Sequence, residues 1–574
     1  MSRTLIIDRD VETPMRDGTI LRADVYHMEG AGPQPVLLQR TPYGKTFTQI
    51  SFVMMAAERG YTVIVQDTRG RWDSEGENIP LLHEKADGYD TVEWAGAQPW
   101  SNGKVGMFGG SYVGYTQLAA AVTHPPALKT IIPAITFCDP YRMMYSGGAL
   151  SLGVAVSWGL MAQAQMEILR KSLSQQEKAP LWGQFIALVD GMARGETFRH
   201  LPLKDLPLIG EKGLMPYLGD LLNHSTYDEY WQSLACPYDQ IQLPALHVGG
   251  WYDIFTGSTL RDFTGIRQQA QDPWIAQQQK LMIGPWTHGS FEGLNGDVDF
   301  TLEASWILVL PEEIQLRWFD YWLKGIENGI MQEAPVRIFV MGENCWRDEA
   351  EWPLARTRYT PYYLHSGGGA NSLQGDGGLS PQPPGEEPVD TFVYDPRNPV
   401  PTRGGGLCCW QAALPPGAYD QREIEARPDV LVYTSAPLEQ DLEVTGPLQV
   451  HLWAASSAPQ TDFTAKLVDV SPSGYARNLQ DGILRIGQPG AQEGNLSKKG
   501  DLWILTIDLT GTSNLFLAGH RIRLEISSSN FPRFDRNPNN GEPPGQSAQL
   551  KPALQTILHD SDHPSHIVLP VIPR

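Results

Sequence analysis

Three residue types that together perform nucleophilic catalysis stand at Ser111, Asp253 and His288. A serine hydroxyl is a weak nucleophile, so it needs a neighbouring base, and the base in turn needs an acid that orients it. Asp253 follows an apolar segment at residues 245–250, and His288 follows a second one at 280–283. Because both segments read as strands, both side chains are expected in loops at strand ends, where reactive groups are commonly placed. The pattern predicts attack by Ser111, proton transfer by His288 and orientation of the imidazole by Asp253.

The sequence on either side of Ser111 indicates how the serine would be presented. A short apolar strand at residues 105–108 ends at two glycines, Ser111 follows, and a helix-like segment begins at Tyr112. A strand that turns abruptly into a helix at a serine is the nucleophile elbow of α/β-hydrolases. Glycines permit such a tight corner, and the N–H groups at the helix N-terminus can face an anionic intermediate. The usual pattern is Gly-x-Ser-x-Gly, from which this chain departs because Val113 takes the last position and Gly114 comes one residue later.

Two other histidines are weaker candidates for the base. His124 lies beside two prolines at the far end of the elbow helix, and His247 lies within a strand, which favours a structural role. His288 is the histidine that completes the chain order Ser–Asp–His used by α/β-hydrolases.

The composition is that of a soluble multidomain protein. With 574 residues, 41% of them hydrophobic and 19% charged, the chain is too long for one core, and two or three domains are predicted. The net charge of −21, from 44 basic and 65 acidic residues, argues against nucleic acid and anionic membranes as partners. Five cysteines without Cys-x-x-Cys spacing favour reduced thiols and a cytoplasmic location, and the N-terminus lacks the apolar segment of a signal peptide. No cofactor or metal site is predicted.

Strands and helices alternate along the first part of the chain, which predicts the parallel, doubly wound sheet of an α/β protein. We assign an α/β-hydrolase domain to residues 1–144 and 241–350, with a helical cap inserted at 145–240. The uncharged segment 143–166 is rich in Gly, Ser and Gln, so we interpret it as a buried helix rather than a membrane span. Short alternating strands separated by Pro, Gly and Asn predict an all-β jelly-roll domain at residues 351–574.

Four motifs carry a resemblance to a known family. They are Gly-Trp-Tyr-Asp at 250–253, Gly-Pro-Trp-Thr-His at 284–288, Gln-Asp-Thr-Arg-Gly-Arg at 66–71 and Ser-Ser-Ser-Asn-Phe-Pro-Arg at 527–533. Together they resemble the cocaine esterase and X-Pro dipeptidyl-peptidase family, and the resemblance extends over essentially the whole chain. It implies an α/β-hydrolase domain, an inserted helical cap, a C-terminal jelly roll and the same triad.

The resemblance also implies an oxyanion hole. It assigns the hydroxyl of Tyr43, in the segment 40–44 that follows a strand, as one donor, and the backbone N–H of Tyr112 as the other. Asp67 and Arg69 look catalytic at first sight, but we interpret them as structural residues that bond neighbouring loops.

Six residues are expected to form a substrate pocket with apolar walls. They are Trp158, Phe255, Trp286, Leu407, Cys408 and Cys409. The resemblance implies that the loop around residues 407–410 reaches over the site from the jelly roll. Bulky apolar residues would be expected in this loop. Because two cysteines stand there instead, the sequence does not determine which acyl groups the pocket accepts. A disulfide between adjacent cysteines is rare, and we expect two thiols.

These residues predict a serine carboxylesterase for esters with apolar or aromatic acyl groups. Relatives that bind an ammonium group use carboxylates soon after the triad acid, whereas Ile-Phe-Thr-Gly follows Asp253 here. A dipeptidyl-peptidase or acylase that reads an N-terminus through Asp228 and Glu229 is one alternative, and a carbohydrate-binding protein without turnover is another. The expected partner is a small-molecule ester, with neither nucleic acid nor membrane involved, and a homodimer is left open.

Overall fold

A ten-stranded sheet forms the N-terminal half of the protein. The structure is a computed structural model and describes residues 4–210, 214–309, 311–488 and 495–573. In chain order the strands of this sheet are β1 (Leu5–Pro14), β2 (Ile20–Met28), β3 (Gln34–Thr41), β4 (Thr62–Asp67), β5 (Ser101–Gly110), β6 (Leu128–Ala134), β7 (Ala245–Tyr252), β8 (Gln279–Thr287), β9 (Val336–Val340) and β10 (Cys345–Glu349). Two-residue strands at Tyr145–Ser146, Ala149–Leu150, Leu294–Asn295 and Val298–Asp299 form small hairpins beside it.

The strand order of the sheet places two candidate residues in one crevice. The spatial order is β1-β2-β4-β3-β5-β6-β7-β8-β9-β10, parallel from β4 to β9, with antiparallel strands at both edges. The chain passes from β3 outward to β4 and then crosses to the opposite side of β3 as β5. Ligands of open α/β sheets bind at such a switch point, beyond the carboxyl ends of the strands. Tyr43 follows β3 and Ser111 follows β5, so both lie at this point.

Helices cover both faces of the sheet. In chain order the α-helices of the described residues are α1 (Ile50–Glu58), α2 (Glu84–Gly96), α3 (Tyr112–Ala121), α4 (Pro140–Met144), α5 (Leu152–Trp158), α6 (Gln165–Arg170), α7 (Gln175–Ala193), α8 (Pro216–Asn223), α9 (Glu229–Leu234), α10 (Thr256–Gln269), α11 (Pro273–Gln277), α12 (Trp306–Val309), α13 (Pro311–Lys324) and α14 (Arg422–Glu425). Neighbouring residues of β5 face opposite layers: Met107 packs into the core with α2 and α3, and Phe108 packs against Phe52 of α1 at 4.7 Å between ring centroids. This alternation within an apolar strand is what a sheet buried on both faces requires.

Helices α4 to α9 form the insertion between β6 and β7. The segment 143–166, expected to form one buried helix, consists of several pieces. It contains the end of α4, a small hairpin of Tyr145–Ser146 and Ala149–Leu150, α5, a π-helical turn at Gly159–Ala164 and the start of α6. Helix α7 begins earlier than its apolar pattern indicates, because Ser174 and Glu177 form a capping box ahead of it. Within the described ranges, none of the helices has both the length and the apolar character needed to cross a bilayer.

The C-terminal part of the chain is built from strands. They are Arg358–His365, Gly378–Ser380, Asp390–Tyr394, Leu431–Thr434, Leu442–Ser456, Thr461–Val470, Ala476–Ile486, Leu496–Lys499, Leu502–Phe516, Arg521–Ser527, Ala553–Leu558 and His566–Ile572. The two longest, Leu442–Ser456 and Leu502–Phe516, pair antiparallel, and their alternate apolar residues are fully buried in one core. The predicted fold class, an α/β-hydrolase domain with an inserted helical cap followed by an all-β domain, is confirmed.

Candidate active site

Ser111 occupies a strained corner between β5 and α3. Its backbone has φ 61° and ψ −127°, a region that residues with a side chain rarely adopt, and α3 begins at the next residue. Gly109 has φ 123°, and a Cβ at that position would overlap the side chain of Val113. The corner therefore requires glycine before the serine, as the elbow motif predicts.

Packing explains why the second glycine of the elbow motif lies one residue later than usual, at Gly114. A Cβ on Gly114 would lie 2.6 Å from Cβ of Thr136, so no larger residue fits between α3 and the chain that follows β6. The Thr136 hydroxyl donates a hydrogen bond to the carbonyl oxygen of Ser111 at 2.8 Å. Val113, at the position usually occupied by glycine, instead fills the space left by Gly109. The departure from Gly-x-Ser-x-Gly thus preserves the close packing of the elbow.

The three predicted triad residues are joined by hydrogen bonds. His288 Nε2 lies 3.0 Å from Ser111 Oγ, and His288 Nδ1 lies 2.9 Å from Asp253 Oδ1. The Asp253 carboxylate is fully buried and also accepts the backbone N–H of Phe255 at 2.9 Å, which fixes its orientation. The ring of Phe255 meets the imidazole edge-on at 5.0 Å between centroids. This arrangement can activate a serine hydroxyl, because the imidazole accepts its proton while the carboxylate holds the Nδ1–H tautomer.

The hydroxyl of Tyr43 lies beside the side chain of Ser111. The indole N–H of Trp158 donates a hydrogen bond to Tyr43 Oη at 3.2 Å, and the hydroxyl also interacts with the Ser111 side chain. Burial raises the pKa of Tyr43, so the phenol keeps its proton at neutral pH. A protonated phenol beside the nucleophile can donate a hydrogen bond to a developing oxyanion.

The side chain of Tyr112 is held by hydrogen bonds and by ring stacking. Its hydroxyl donates to Glu84 Oε1 at 2.9 Å and accepts the backbone N–H of Leu81 at 2.8 Å. Its ring stacks on Trp158, with centroids 6.0 Å apart and planes 12° apart. The backbone N–H of Tyr112 begins α3 directly after Ser111, where helix N–H groups have no intrahelical acceptor.

An apolar cavity of about 40 Å³ opens beside Ser111 and is called the Ser111 cavity below. Four of the predicted pocket residues line it: Trp158, Phe255, Cys408 and Cys409. Further lining residues, which sequence reasoning missed, are Pro80, Leu81, Phe137, Met143, Met144, Val154 and Tyr217. Tyr217 packs edge-on against Trp158 at 5.0 Å between ring centroids. No local pattern singles out these residues, because they are ordinary apolar positions that meet only in the folded chain.

Two predicted pocket residues lie elsewhere. Trp286 is fully buried and its indole N–H donates to the carbonyl oxygen of Ala304 at 2.7 Å. It does not line the Ser111 cavity, and its ring packs on Phe291 and Trp346. Leu407 is buried in the same apolar core as the cavity residues without lining the cavity itself.

The loop 404–411 of the C-terminal domain closes over the triad. A Cβ on Gly406 would lie 2.9 Å from the carbonyl oxygen of Asp253, and the Gln411 side chain occupies the space beside Gly289, next to the triad histidine. Cys408 and Cys409 are joined by a disulfide, which differs from the two thiols expected from the sequence. Cys409, the second residue of the pair, has φ 75°, in a region that residues with a side chain rarely adopt.

Asp67, Arg69 and Arg71 support the loop that carries Tyr43. Asp67 Oδ1 accepts the backbone N–H of Lys45 at 2.7 Å, and burial raises the pKa of this carboxyl to about 6. Arg71 Nε donates to the carbonyl oxygen of Pro42 at 2.9 Å, and the same guanidinium donates to the carbonyl oxygen of Ala162 in the insertion. Arg69 pairs with Asp17, in the turn between β1 and β2, and with Asp87 of α2. These contacts match the structural role expected for Asp67 and Arg69.

The rival histidines and the cap carboxylates are remote from the Ser111 cavity. His247 is buried, which lowers its pKa to about 4, and its Nε2 lies 3.2 Å from Gln279 Oε1. His124 contacts Gln240 at the far end of α3. Asp228 caps α9 and bonds His224 Nδ1 at 2.6 Å, and Glu229 is exposed. Among the described residues, no group of three or more His, Cys, Asp or Glu side chains is arranged to hold a metal ion.

Comparisons with known proteins identify similar sequences and folds. The family model of the X-Pro dipeptidyl-peptidase (S15 family) matches residues 17–290, and that of the X-Pro dipeptidyl-peptidase C-terminal non-catalytic domain matches 328–568. Cocaine esterase of Rhodococcus sp. (strain MB1 Bresler) is 40% identical over 98% of both chains. The structure of an aminopeptidase from a marine sediment archaeon, Thaumarchaeota archaeon, covers 100% of this chain and 97% of its own at 25% identity, with a TM-score of 0.78. An α-amino acid ester hydrolase structure shares the fold at 24% identity, with a TM-score of 0.76 over 99% of this chain and 96% of its own.

Proposed function

This chain belongs to the X-Pro dipeptidyl-peptidase family S15 and is a serine hydrolase, and on that premise we propose a carboxylesterase that transfers apolar or aromatic acyl groups to water. The observation that carries the proposal is the hydrogen-bonded series Ser111, His288 and Asp253 beside a cavity with apolar walls. A non-enzymatic carbohydrate-binding protein is no longer an alternative, because the family identifies an enzyme.

In the proposed reaction, Ser111 Oγ attacks the ester carbonyl carbon while His288 Nε2 accepts the hydroxyl proton. The Tyr43 hydroxyl and the backbone N–H of Tyr112 stabilise the charge that develops on the carbonyl oxygen. His288 then gives the proton to the alcohol oxygen as the C–O bond breaks, which leaves an acyl group on Ser111. A water molecule that His288 deprotonates attacks the acyl carbon and releases the acid. Throughout, Asp253 keeps the imidazole in the required tautomer.

The chemistry of the cavity favours a neutral, apolar acyl group. The described residues that line it supply aromatic rings, aliphatic side chains, the thioethers of Met143 and Met144, the Cys408–Cys409 disulfide and the hydroxyl groups of Ser111, Tyr43 and other tyrosines. None of these described residues carries a carboxylate. A substrate ammonium group placed there would be desolvated without a partner, which is costly. Met143 and Met144 can adjust their unbranched side chains to acyl groups of different shape. This lining favours ester substrates over substrates that carry a free amino terminus near the scissile bond.

The test compares turnover across substrate classes. We expect hydrolysis of p-nitrophenyl esters of acetate, butyrate and benzoate, and kcat/KM at least 10²-fold lower for Ala-Pro-p-nitroanilide. Ser111→Ala should lose on the order of 10³-fold or more in kcat and lose labelling by a fluorophosphonate, because the covalent step needs the hydroxyl. The exposed Ser473→Ala is the matched control and should behave like the wild type. Preference for the dipeptide anilide would overturn the esterase assignment in favour of the peptidase alternative.

A further inference from the structure

Two adjacent cysteines form part of the wall that faces the nucleophile. Cys408 and Cys409 both line the Ser111 cavity and are joined by a disulfide. Cys408 is buried, with 4% of its surface exposed, whereas Cys409 is only partly buried. Cys409 is therefore the more exposed residue of the pair.

The loop that carries the pair also touches both supporting members of the triad. Gly406 lies against the carbonyl of Asp253, and Gln411 lies against Gly289, the neighbour of His288. The disulfide stands between these two contacts in the sequence. A change in the backbone of Cys408 or Cys409 would therefore alter the cavity wall and the two loops that carry Asp253 and His288.

We propose that Cys408–Cys409 is a redox-modification site through which dithiol reductants control the hydrolase. With the bond intact, the loop 404–411 is held in the conformation that closes the Ser111 cavity. With the bond reduced, the loop loosens and kcat/KM falls. The regulatory half of this proposal rests on the proposed esterase function, whereas the existence of the redox pair does not.

The reduction step is a thiol–disulfide exchange. A thiolate of the dithiol attacks Sγ of Cys409, the more exposed residue of the pair. The Cys408–Cys409 bond breaks, and the electron pair leaves on Cys408 Sγ, which takes a proton from solvent. The second thiolate of the reductant then attacks its own sulfur in the mixed disulfide and releases Cys409 as a thiolate, which is also protonated. Two electrons pass from the dithiol, which ends as a cyclic disulfide, to the cysteine pair.

The conformation of Cys409 explains why reduction should alter activity. Cys409 has φ 75°, in a region that residues with a side chain seldom occupy because it is unfavourable. While the sulfurs are bonded, the ring that joins the two residues restricts both backbones. Once the bond opens, Cys409 can relax to an extended or right-handed conformation, and the contacts of Gly406 and Gln411 with the triad loops relax with it.

Other cysteines of the chain provide controls. Cys138 and Cys236 are buried, and burial raises the pKa of the Cys236 thiol to about 12, so neither is a ready partner in exchange. Cys345 begins β10, in a different part of the molecule from the Ser111 cavity. Replacing Cys345 removes a thiol without changing the pair.

The experiment measures thiol state and activity on the same preparation of the full-length protein. Air-equilibrated protein is alkylated with iodoacetamide, with and without prior dithiothreitol, and the peptide containing residues 408 and 409 is analysed by mass spectrometry. We expect no alkylation before reduction and two added groups after it. The kcat/KM for p-nitrophenyl butyrate should fall at least fivefold on reduction and recover after oxidation with oxidised glutathione.

Variants separate the pair from other effects of the reductant. Cys408→Ser/Cys409→Ser should show the activity of the reduced enzyme and no response to dithiothreitol, whereas Cys345→Ser should respond like the wild type. Alkylation of both thiols in the untreated protein would overturn the redox pair. Complete reduction with unchanged kcat/KM would overturn its control of activity. Loss of turnover and of fluorophosphonate labelling in both redox states would instead contradict the proposed function, and the regulatory role with it.

Discussion

At the scale of single residues, Tyr43 is the residue whose burial and contacts best suit the role of a hydrogen-bond donor. Its phenol is packed between Trp158 and Ser111, and burial raises its pKa, so the hydroxyl keeps its proton at neutral pH. A buried phenol is rigid and has few competing partners, which suits a donor that must act on charge formed only during the reaction.

We therefore expect Tyr43→Phe to lower kcat by roughly 10²-fold or more while KM changes little, because the lost hydrogen bond acts on the transition state. Steady-state kinetics with p-nitrophenyl butyrate measure this effect. Tyr359→Phe, which removes a phenol from an exposed position, serves as the control. A change confined to KM would mean that Tyr43 shapes the cavity without acting on the oxyanion.

At the scale of elements, one buried guanidinium connects the Tyr43 loop with the helical insertion. Arg71 donates to the carbonyl of Pro42, directly before Tyr43, and to the carbonyl of Ala162, four residues after Trp158. Trp158 is the residue that bonds the Tyr43 hydroxyl. Arg71 thus fixes the separation of two elements whose side chains must meet, and it is a positioning residue rather than a catalytic one.

Arg71→Met should lower kcat about tenfold and destabilise the protein by roughly 1–3 kcal/mol, because the carbonyl groups of Pro42 and Ala162 each lose the hydrogen bond from the guanidinium. The indole N–H of Trp72 still donates to Pro42, at 3.3 Å. The decisive measurement is a double-mutant cycle with Tyr43→Phe on kcat. If Arg71 acts by positioning Tyr43, the second substitution adds little to the first. Additive losses in kcat would mean that Arg71 has a purely structural role. Arg397→Met, at an exposed ion pair, is the matched control.

At the scale of the whole molecule, the Ser111 cavity exists only where three regions meet. Tyr43 and Ser111 come from the sheet domain, Trp158 and Tyr217 from the insertion, and Cys409 from the C-terminal domain. The stability of the C-terminal domain therefore bears on the site, and part of that stability comes from buried charge. His559 is fully enclosed between Glu387 and Asp390, with Nε2 at 2.9 Å from Asp390 Oδ2.

This enclosure makes the stability of the domain depend on pH. Burial opposes the charged imidazole, but the bond to Asp390 and the charge of Glu387 outweigh burial and raise the pKa of His559. A raised pKa in the folded state means that the stabilisation is complete below the unfolded value, about 6.5, and is lost as pH rises through the folded value. His365, which bonds Glu387 at 2.8 Å, belongs to the same cluster.

We expect His559→Gln to destabilise the protein more at pH 6 than at pH 9, as measured by the free energy of urea unfolding of the C-terminal domain at each pH. The exposed His124→Gln should show no such difference between the two values. An equal loss at both pH values would mean that the charge of His559 contributes nothing to stability and that its role is steric.

The amino-acid sequence by itself determined the local geometry and the chemical roles open to the candidate residues. Alternation of apolar strands with helices, the glycines before Ser111, and the positions of Asp253 and His288 after strands all follow from short-range patterns. The order of strands then forces these loops to one edge of the sheet. The identification of Tyr43 as a donor came from family resemblance, since no local pattern distinguishes it from any other half-buried tyrosine.

Only the tertiary structure decided which side chains share a cavity. Trp286 and Trp158 look alike as aromatic residues near motifs, yet Trp286 bonds the carbonyl of Ala304 and Trp158 bonds Tyr43 Oη. The pairing of Cys408 with Cys409 likewise appears only in the structure, together with a positive φ at Cys409. Such choices depend on contacts made in the folded chain, and that between Tyr43 and Trp158 joins residues more than a hundred positions apart. Their energies are set by the complete packing of the three regions rather than by any segment alone.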